Sequence, residues 1–212
     1  MLDVITNDER VSAIEEELKR ALRREELDSR SCNEAETFSS DGNVELNYVH
    51  LTSDNLGQDE KYSACLLFDK GSRDVRRIQD VIGIVKEKGA RKYGSFNPTQ
   101  GGLRDGDQER SSNSLFKGKI FINVKSDQAP TIRDQAGNTL TMKEQVHSSC
   151  YGRVFLTLSP CELKDGTQVI SSKMLAFLKV GEKDRYEEQI EDFFRRPPLP
   201  AYYNDIPSAP RV

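Results

Sequence analysis

The chain has 212 residues, 35% hydrophobic and 31% charged, with a net charge of −4. That composition supports one domain of ordinary size around a modest core, with extensions, and excludes two large cores. No apolar run approaches membrane-spanning length and no basic-then-apolar leader opens the sequence, so an intracellular protein with no membrane partner is expected.

The acid excess is unevenly spread. Residues 1–40 sum to −5, residues 41–181 to +3 and residues 182–212 to −2, so a mildly basic body lies between acidic ends. Within the body, residues 86–125 form a local basic zone. Cys32, Cys65, Cys150 and Cys161 show no C-x-x-C spacing and read as free thiols in a reducing cell.

Residues 7–27 read as an amphipathic helix, with Val11, Ile14, Leu18, Ala21 and Leu22 at helical spacing. It fits a helix packed on the body or an oligomerisation helix. Residues 28–43 read as a linker. Val44–Leu51 and Glu60–Phe68 are strand patterns. After them Ser72 caps a helix whose apolar stripe is Val75, Ile78, Ile82 and Val85, ending near Gly89. Lys86, Lys88, Arg91 and Lys92 gather at its C-terminal end, where positive charge suits the helix dipole. Residues 94–114 have little periodicity, and a loop of that length in a compact domain is usually functional or mobile.

Two strand patterns follow, at 115–125 and 151–158, and they sort alike, because alternate residues face opposite sides of a strand. In the first, Phe116, Gly118, Ile120, Ile122 and Val124 form an apolar side, against Lys117, Lys119, Phe121, Asn123 and Lys125. In the second, Val154, Leu156 and Leu158 oppose Tyr151, Arg153, Phe155 and Thr157. An apolar inner face with a basic, aromatic outer face suits a single-stranded nucleic acid: cations meet phosphates and rings stack on bases. Rings packed under the helix or the long loop would account for the same pattern. Asp134–Asn138 has hairpin-turn chemistry, and residues 167–180 form a last long strand. Short strands joined by turns, with one inserted helix, predict a mainly β fold: a small antiparallel barrel at 44–181, preceded by the helix and linker at 1–43. Residues 182–212 read as a flexible tail, first acidic, then proline-rich.

Other chemistry has thin support. Asp105, Asp107 and Glu109 could hold Mg²⁺ in a nuclease, but Asp-Gly-Asp is also ordinary turn composition, and Arg104 and Arg110 beside them suit phosphate. His147, Cys150, Cys161 and Cys65 could together ligate zinc, yet their spacing matches no standard structural site, so no metal or cofactor is expected. No phosphate-cradling glycine loop and no G-x-S-x-G are present in the sequence.

The order Lys61-Tyr-Ser-Ala, Leu103-Arg-Asp-Gly-Asp-Gln-Glu-Arg110, Phe116-Lys-Gly, Ala129-Pro-Thr-Ile-Arg-Asp134, Cys150-Tyr-Gly-Arg153 and Glu191-Asp-Phe193 resembles a tailed-bacteriophage family. That family was formerly catalogued as a domain of unknown function and is linked to replicative single-stranded DNA-binding proteins with an OB-fold. The resemblance spans residues 44–194. It implies a non-enzymatic, sequence-tolerant binder that coats and protects single strands during phage replication or recombination, in the cytoplasm of the bacterial host. The rivals are the nuclease with Asp105, Asp107 and Glu109, and a protein-interaction module of the replication machinery. The expected DNA contacts are the outer-face residues Lys117, Lys119, Phe121 and Lys125, then Tyr151, Arg153 and Phe155, with Lys92 and Arg104 nearby. Glu191, Asp192, Phe193 and Phe194 are the expected partner-binding tail, for a polymerase, helicase or recombinase; self-association is left open.

The tail carries two readings. It either competes with DNA for the basic surface, as one polyanion against another, or docks as a short helix through Ile190, Phe193 and Phe194. Removing residues 182–212 separates them. A displaceable tail gives tighter oligonucleotide binding and an unchanged melting temperature; a docked helix gives lower stability and no gain in affinity.

Overall fold

The computed structural model describes residues 34–57 and 59–183. The helix expected over 7–27 and the tail from residue 184 onward lie outside them.

Five strands build a barrel: β2 (Val44–His50), β3 (Tyr62–Asp69), β5 (Lys119–Ser126), β7 (Cys150–Glu162) and β8 (Gln168–Glu182). Three short strands are added, β1 (Glu36–Ser39), β4 (Arg104–Asp105) and β6 (Thr131–Asp134). The sheet runs β4-β5-β3-β2-β7-β8-β6, with β1 alongside β7. β5 and β8 then come together and close the wall. This order and closure are those of an OB-type barrel. Alternation along β7 is complete: Cys150, Gly152, Val154, Leu156, Leu158 and Pro160 are buried, and the residues between them are partly exposed.

The helix α1 (Arg73–Tyr93) packs across β7 and β1. Ser72 caps it as expected, its hydroxyl accepting from Val75 N–H. Val75, Ile78, Ile82 and Val85 share one core with Leu46, Leu66, Ile122, Val124, Leu156 and Phe177 of the strands. The buried carboxylate of Asp74 accepts from the amides of Asp41 and Gly42 and from Arg77, tying the first turn of α1 to the β1–β2 connection.

Three expectations change. The 28–43 stretch is not linker throughout: Glu36–Ser39 pairs with β7, and Phe38 enters the core, edge-on to Phe68. The helix does not end near Gly89 but runs to Tyr93 and stops at Gly94, whose φ is 78°. Gly89 is interior because Phe96 folds back onto it, so close that a Cβ there would lie 2.5 Å from the ring. The pairings among the five barrel strands are antiparallel as expected, and the added strand β6 runs parallel to β8. Finally, β8 continues through Glu182, so a cut that tests the tail has to start beyond it. The turn at Asp134–Asn138 forms as read, with Asp134 Oδ1 accepting from Asn138 N–H.

The loop from Pro98 to Leu103 seals the β5–β8 closure. Ile170 N–H donates to Gln100 O at 3.0 Å, and Thr99 N–H to Gln168 O at 3.0 Å. Gly101 makes this approach possible: its φ is +87°, and a Cβ would fall 1.8 Å from Ile170 O. Gly102 next to it faces open space. Gly101→Ala is therefore expected to lower the thermal unfolding midpoint markedly and Gly102→Ala to change it little, measured side by side by calorimetry.

Candidate nucleic-acid interface

The outer face of the wall carries a second, smaller apolar cluster. On β5, Ile122 and Val124 point inward, and Lys119, Phe121, Asn123 and Lys125 outward, as the alternation requires. Phe121 nevertheless has no exposed surface. It is enclosed with Cys65, Leu67 and Phe116, its ring 5.1 Å from that of Phe116 and nearly perpendicular to it. The reading of Phe121 as an open stacking ring is corrected by this. Phe116 also changes sides, because strand geometry begins only at Lys119. Residues Ser114–Phe116 form a 3₁₀ turn that drops Phe116 onto the outer face. Burial pushes the Cys65 thiol up to about 12.

One ring of this stack is open. Tyr48 is 51% exposed and lies over Phe116, centroids 6.4 Å apart and planes 29° from parallel. By parity Tyr48 belongs with the buried Val44 and Leu46. A β-bulge between Asn47 and His50 breaks that parity, and Tyr48 takes φ +48°. Asn47 Oδ1 accepts from Tyr48 N–H at 2.9 Å and steadies the turn, while Val49 fills the inward place. Positive φ at a large side chain costs energy and recurs at binding sites. The local sequence does not announce it, because left-handed backbone favours glycine, asparagine or aspartate and the residue that adopts it is Tyr48.

Two guanidiniums lie on the same stack. Arg104 is 4.9 Å from the Phe121 ring and Arg110 is 5.6 Å from the Phe116 ring. Arg104 also lines a groove of about 1210 Å³ between α1, the 98–103 loop, β5 and β8, with Lys86 and Lys125. The groove and the open Tyr48 ring are thus joined through Arg104, Phe121 and Phe116. Arg104 Nε donates to Glu109 at 2.7 Å, and that carboxylate raises its pKa. Lys125 pairs with the exposed Asp59, whose own pKa it lowers.

The remaining expected residues divide. Tyr151, Arg153 and Phe155 alternate outward on β7, each half-buried, with Tyr151 lying against Gly181 of β8. Tyr151 and Phe121 belong to one cross-strand row, separated by Glu45 and Leu67. Lys117 is exposed, just past the 3₁₀ turn. Lys119 is held by Asp69 and Glu45. Lys92 stands apart from the groove, 2.7 Å from Glu34, which raises its pKa, and over the Tyr93 ring.

The carboxylates proposed for a nuclease are engaged elsewhere. Asp105 caps the short helix α2 (Gly106–Glu109), and Lys70 bridges Asp105 at 2.7 Å and Asp107 at 2.5 Å. Asp107 also accepts from Gly118 N–H, and with Lys70 this lowers its pKa. Glu109 belongs to Arg104. These pairs fasten the segment that carries Phe116: Asp105 and Asp107 share the Lys70 ammonium, and Glu109 turns to Arg104.

Residues 40–191 match the sequence profile of the family described as "Enterobacter phage Enc34, ssDNA-binding protein". No curated protein matches the chain. Among solved structures, the single-stranded DNA-binding protein of bacteriophage Enc34, truncated at its C-terminus, superposes with a TM-score of 0.59 at 20% identity, covering 72% of this chain and 89% of that one. The same phage protein in complex with single-stranded DNA gives 0.58 at 20% identity, covering 73% and 89%. The gp2.5 single-stranded DNA-binding protein of bacteriophage T7 gives 0.52 at 10% identity, covering 78% and 97%. At these identities the structures speak for the fold.

The two aromatic environments lead to opposite expectations for stability. Phe121→Ala removes a fully buried ring and is expected to cost about 3–5 kcal/mol. Tyr48→Ala removes a half-exposed ring at a strained φ and is expected to change stability by about 1 kcal/mol or less. Denaturant titration of both variants checks this.

Proposed function

We propose a function from one premise: the chain belongs to the family of the Enterobacter phage Enc34 single-stranded DNA-binding protein. It binds single-stranded DNA without regard to sequence, coating and protecting transient strands during phage DNA replication and recombination. It does no chemistry on the strand. No described helix is long and apolar enough to cross a membrane, and its place of action is the cytoplasm of the host cell.

The observation that supports this reading is that the groove's cations and an exposed ring, Tyr48, flank one packed aromatic unit. Lys86, Arg104 and Lys125 line the groove, and the Phe121–Phe116 stack leads from Arg104 to the open face of Tyr48. In the proposed mode the phosphates follow the cations, Tyr48 takes a base, and Arg110 meets a phosphate or a base face. Stacking ignores base identity, because every base offers a π-face. Tyr151, Arg153 and Phe155 on β7, with Lys117 at the 3₁₀ turn, extend the same track.

Pre-existing ion pairs do not oppose this. The Lys125–Asp59 and Arg104–Glu109 pairs are solvent-exposed on both sides, and such pairs are worth about 0–1 kcal/mol. A phosphate can replace the carboxylate at little cost. The acidic residues Glu191 and Asp192, with Phe193 and Phe194, are proposed to recruit a polymerase, helicase or recombinase.

A fluorescent oligonucleotide, titrated with and without Mg²⁺, tests the reading. Saturable binding of an uncut strand is expected, its logarithmic salt slope growing by about 0.7 per phosphate contact. Tyr48→Ala is expected to weaken binding by about 1–3 kcal/mol. Cleavage would restore the nuclease reading, and absence of binding would leave a protein-interaction module.

A further inference from the structure

Away from the groove, three side chains of different chemistry converge. Cys150 opens β7 and Glu182 closes β8, and the antiparallel register sets them opposite each other. His147 comes three residues before Cys150. A tight turn folds it back: Cys150 N–H donates to His147 O at 3.2 Å, and the buried Ser149 takes φ +87°. For a non-glycine residue that backbone is strained. The result is that imidazole nitrogen, thiol sulfur and carboxylate oxygen lie within 4.8 Å of one another. His147 Nε2 is 3.4 Å from Glu182 Oε2. Two ligand atoms bound tetrahedrally to zinc at about 2.0–2.2 Å stand about 3.4 Å apart.

Each of the three already has an outer partner. His147 Nδ1 lies 2.8 Å from Ser148 O; with its proton donated there, Nε2 keeps a free lone pair. Cys150 Sγ accepts from His147 N–H at 3.5 Å and lies 3.9 Å from Gln145 O. Lys179 donates to Glu182 Oε1 and to Gln145 O, which leaves Oε2 turned to the imidazole. Partners of this kind fix the tautomer and orientation of metal ligands. A plain His–Glu ion pair accounts for two of the three side chains and gives no role to the thiol at the same point.

We propose that His147, Cys150 and Glu182 bind one Zn²⁺ ion, with water in the fourth position. A nitrogen, sulfur and oxygen donor set selects zinc over magnesium or calcium. The site is reachable, since the side chains of His147 and Glu182 are 42% and 46% exposed. Zinc here clips the segment leading into β7 to the end of β8, the last strand before the tail. This set differs from the one the cysteine count suggests. Cys65 is shut inside the outer-face cluster, and Cys161 lies toward the other end of β7, opposite Val169.

The full-length chain, freed of metal by chelator, is titrated with Zn²⁺ alone by calorimetry and with Co²⁺ by absorption. The expected result is one ion per chain, a thiolate-to-cobalt charge-transfer band, and a melting temperature raised by Zn²⁺. Cys150→Ser is expected to abolish the band, whereas Cys32→Ser, Cys65→Ser and Cys161→Ser keep it. Because loss of a buried thiol can itself unfold the chain, His147→Gln and Glu182→Gln serve as second variants. Each is expected to weaken Zn²⁺ binding by at least about 10-fold, with the metal-free melting temperature unchanged. Absence of saturable one-to-one binding overturns the site. So does a band that survives Cys150→Ser, or zinc affinity indifferent to both glutamine variants.

Discussion

The edge-to-face contact between Phe116 and Phe121 holds the outer surface of this barrel together. A strand wall is one residue thick, so every residue on it faces either the main core or the outside. This protein packs apolar side chains on both faces. On the outer side Phe121, Leu67 and Cys65 make a patch that water would meet directly if Phe116 did not cover it. Covering it requires the 106–116 segment to lie on the wall, and the ion pairs of Lys70 with Asp105 and Asp107 fasten that segment down. Arg104, Arg110 and Tyr48 then take their places around the two rings. A surface that looks like a row of separate side chains is a single packed unit.

Charge on this protein acts locally. The chain as a whole is acidic, at −4, yet salt screens the field of an exposed charge within about 10 Å at moderate ionic strength. A phosphate in the groove meets Arg104, Lys86 and Lys125 directly, whatever the sign of the whole chain. Two of these cations are already paired with carboxylates, Arg104 with Glu109 and Lys125 with Asp59. That lowers the conformational entropy still to be lost when a phosphate takes the carboxylate's place.

Barrel closure and the groove share one cause. β8 is paired with β7 along its length, and its other edge is met by β6 and by the 98–103 loop. Closure at β5 brings that loop, α1 and two strands into one concavity. A glycine with positive φ is required where the loop backbone touches Ile170. The region without periodicity in the sequence is thus the region that seals the barrel.

Period-two alternation in 151–158 and 119–125 determined which side chains of β7 and β5 face out, since strand geometry allows no other sorting once a core exists. The Ser72 cap, the apolar stripe of α1 and the Asp134–Asn138 turn were legible for the same reason: each is decided by residues within one turn of chain. The rest depended on partners remote in sequence. Gly89 reads as a helix end until Phe96 packs on it. Glu36–Ser39 is polar enough to read as linker until β7 offers a free edge. Phe121 reads as an open ring because alternation says which face it occupies and nothing about what lies on that face. Tyr48 falls in step with Val44 and Leu46 along the strand until a bulge reverses its parity. His147, Cys150 and Glu182 match no spacing, because two of them meet only across the β7–β8 ladder. Where a strand is regular, local sequence determined direction, inward or outward. Only tertiary packing decided what covers each face, because a side chain's burial is a property of its neighbours, and those come from elsewhere in the chain.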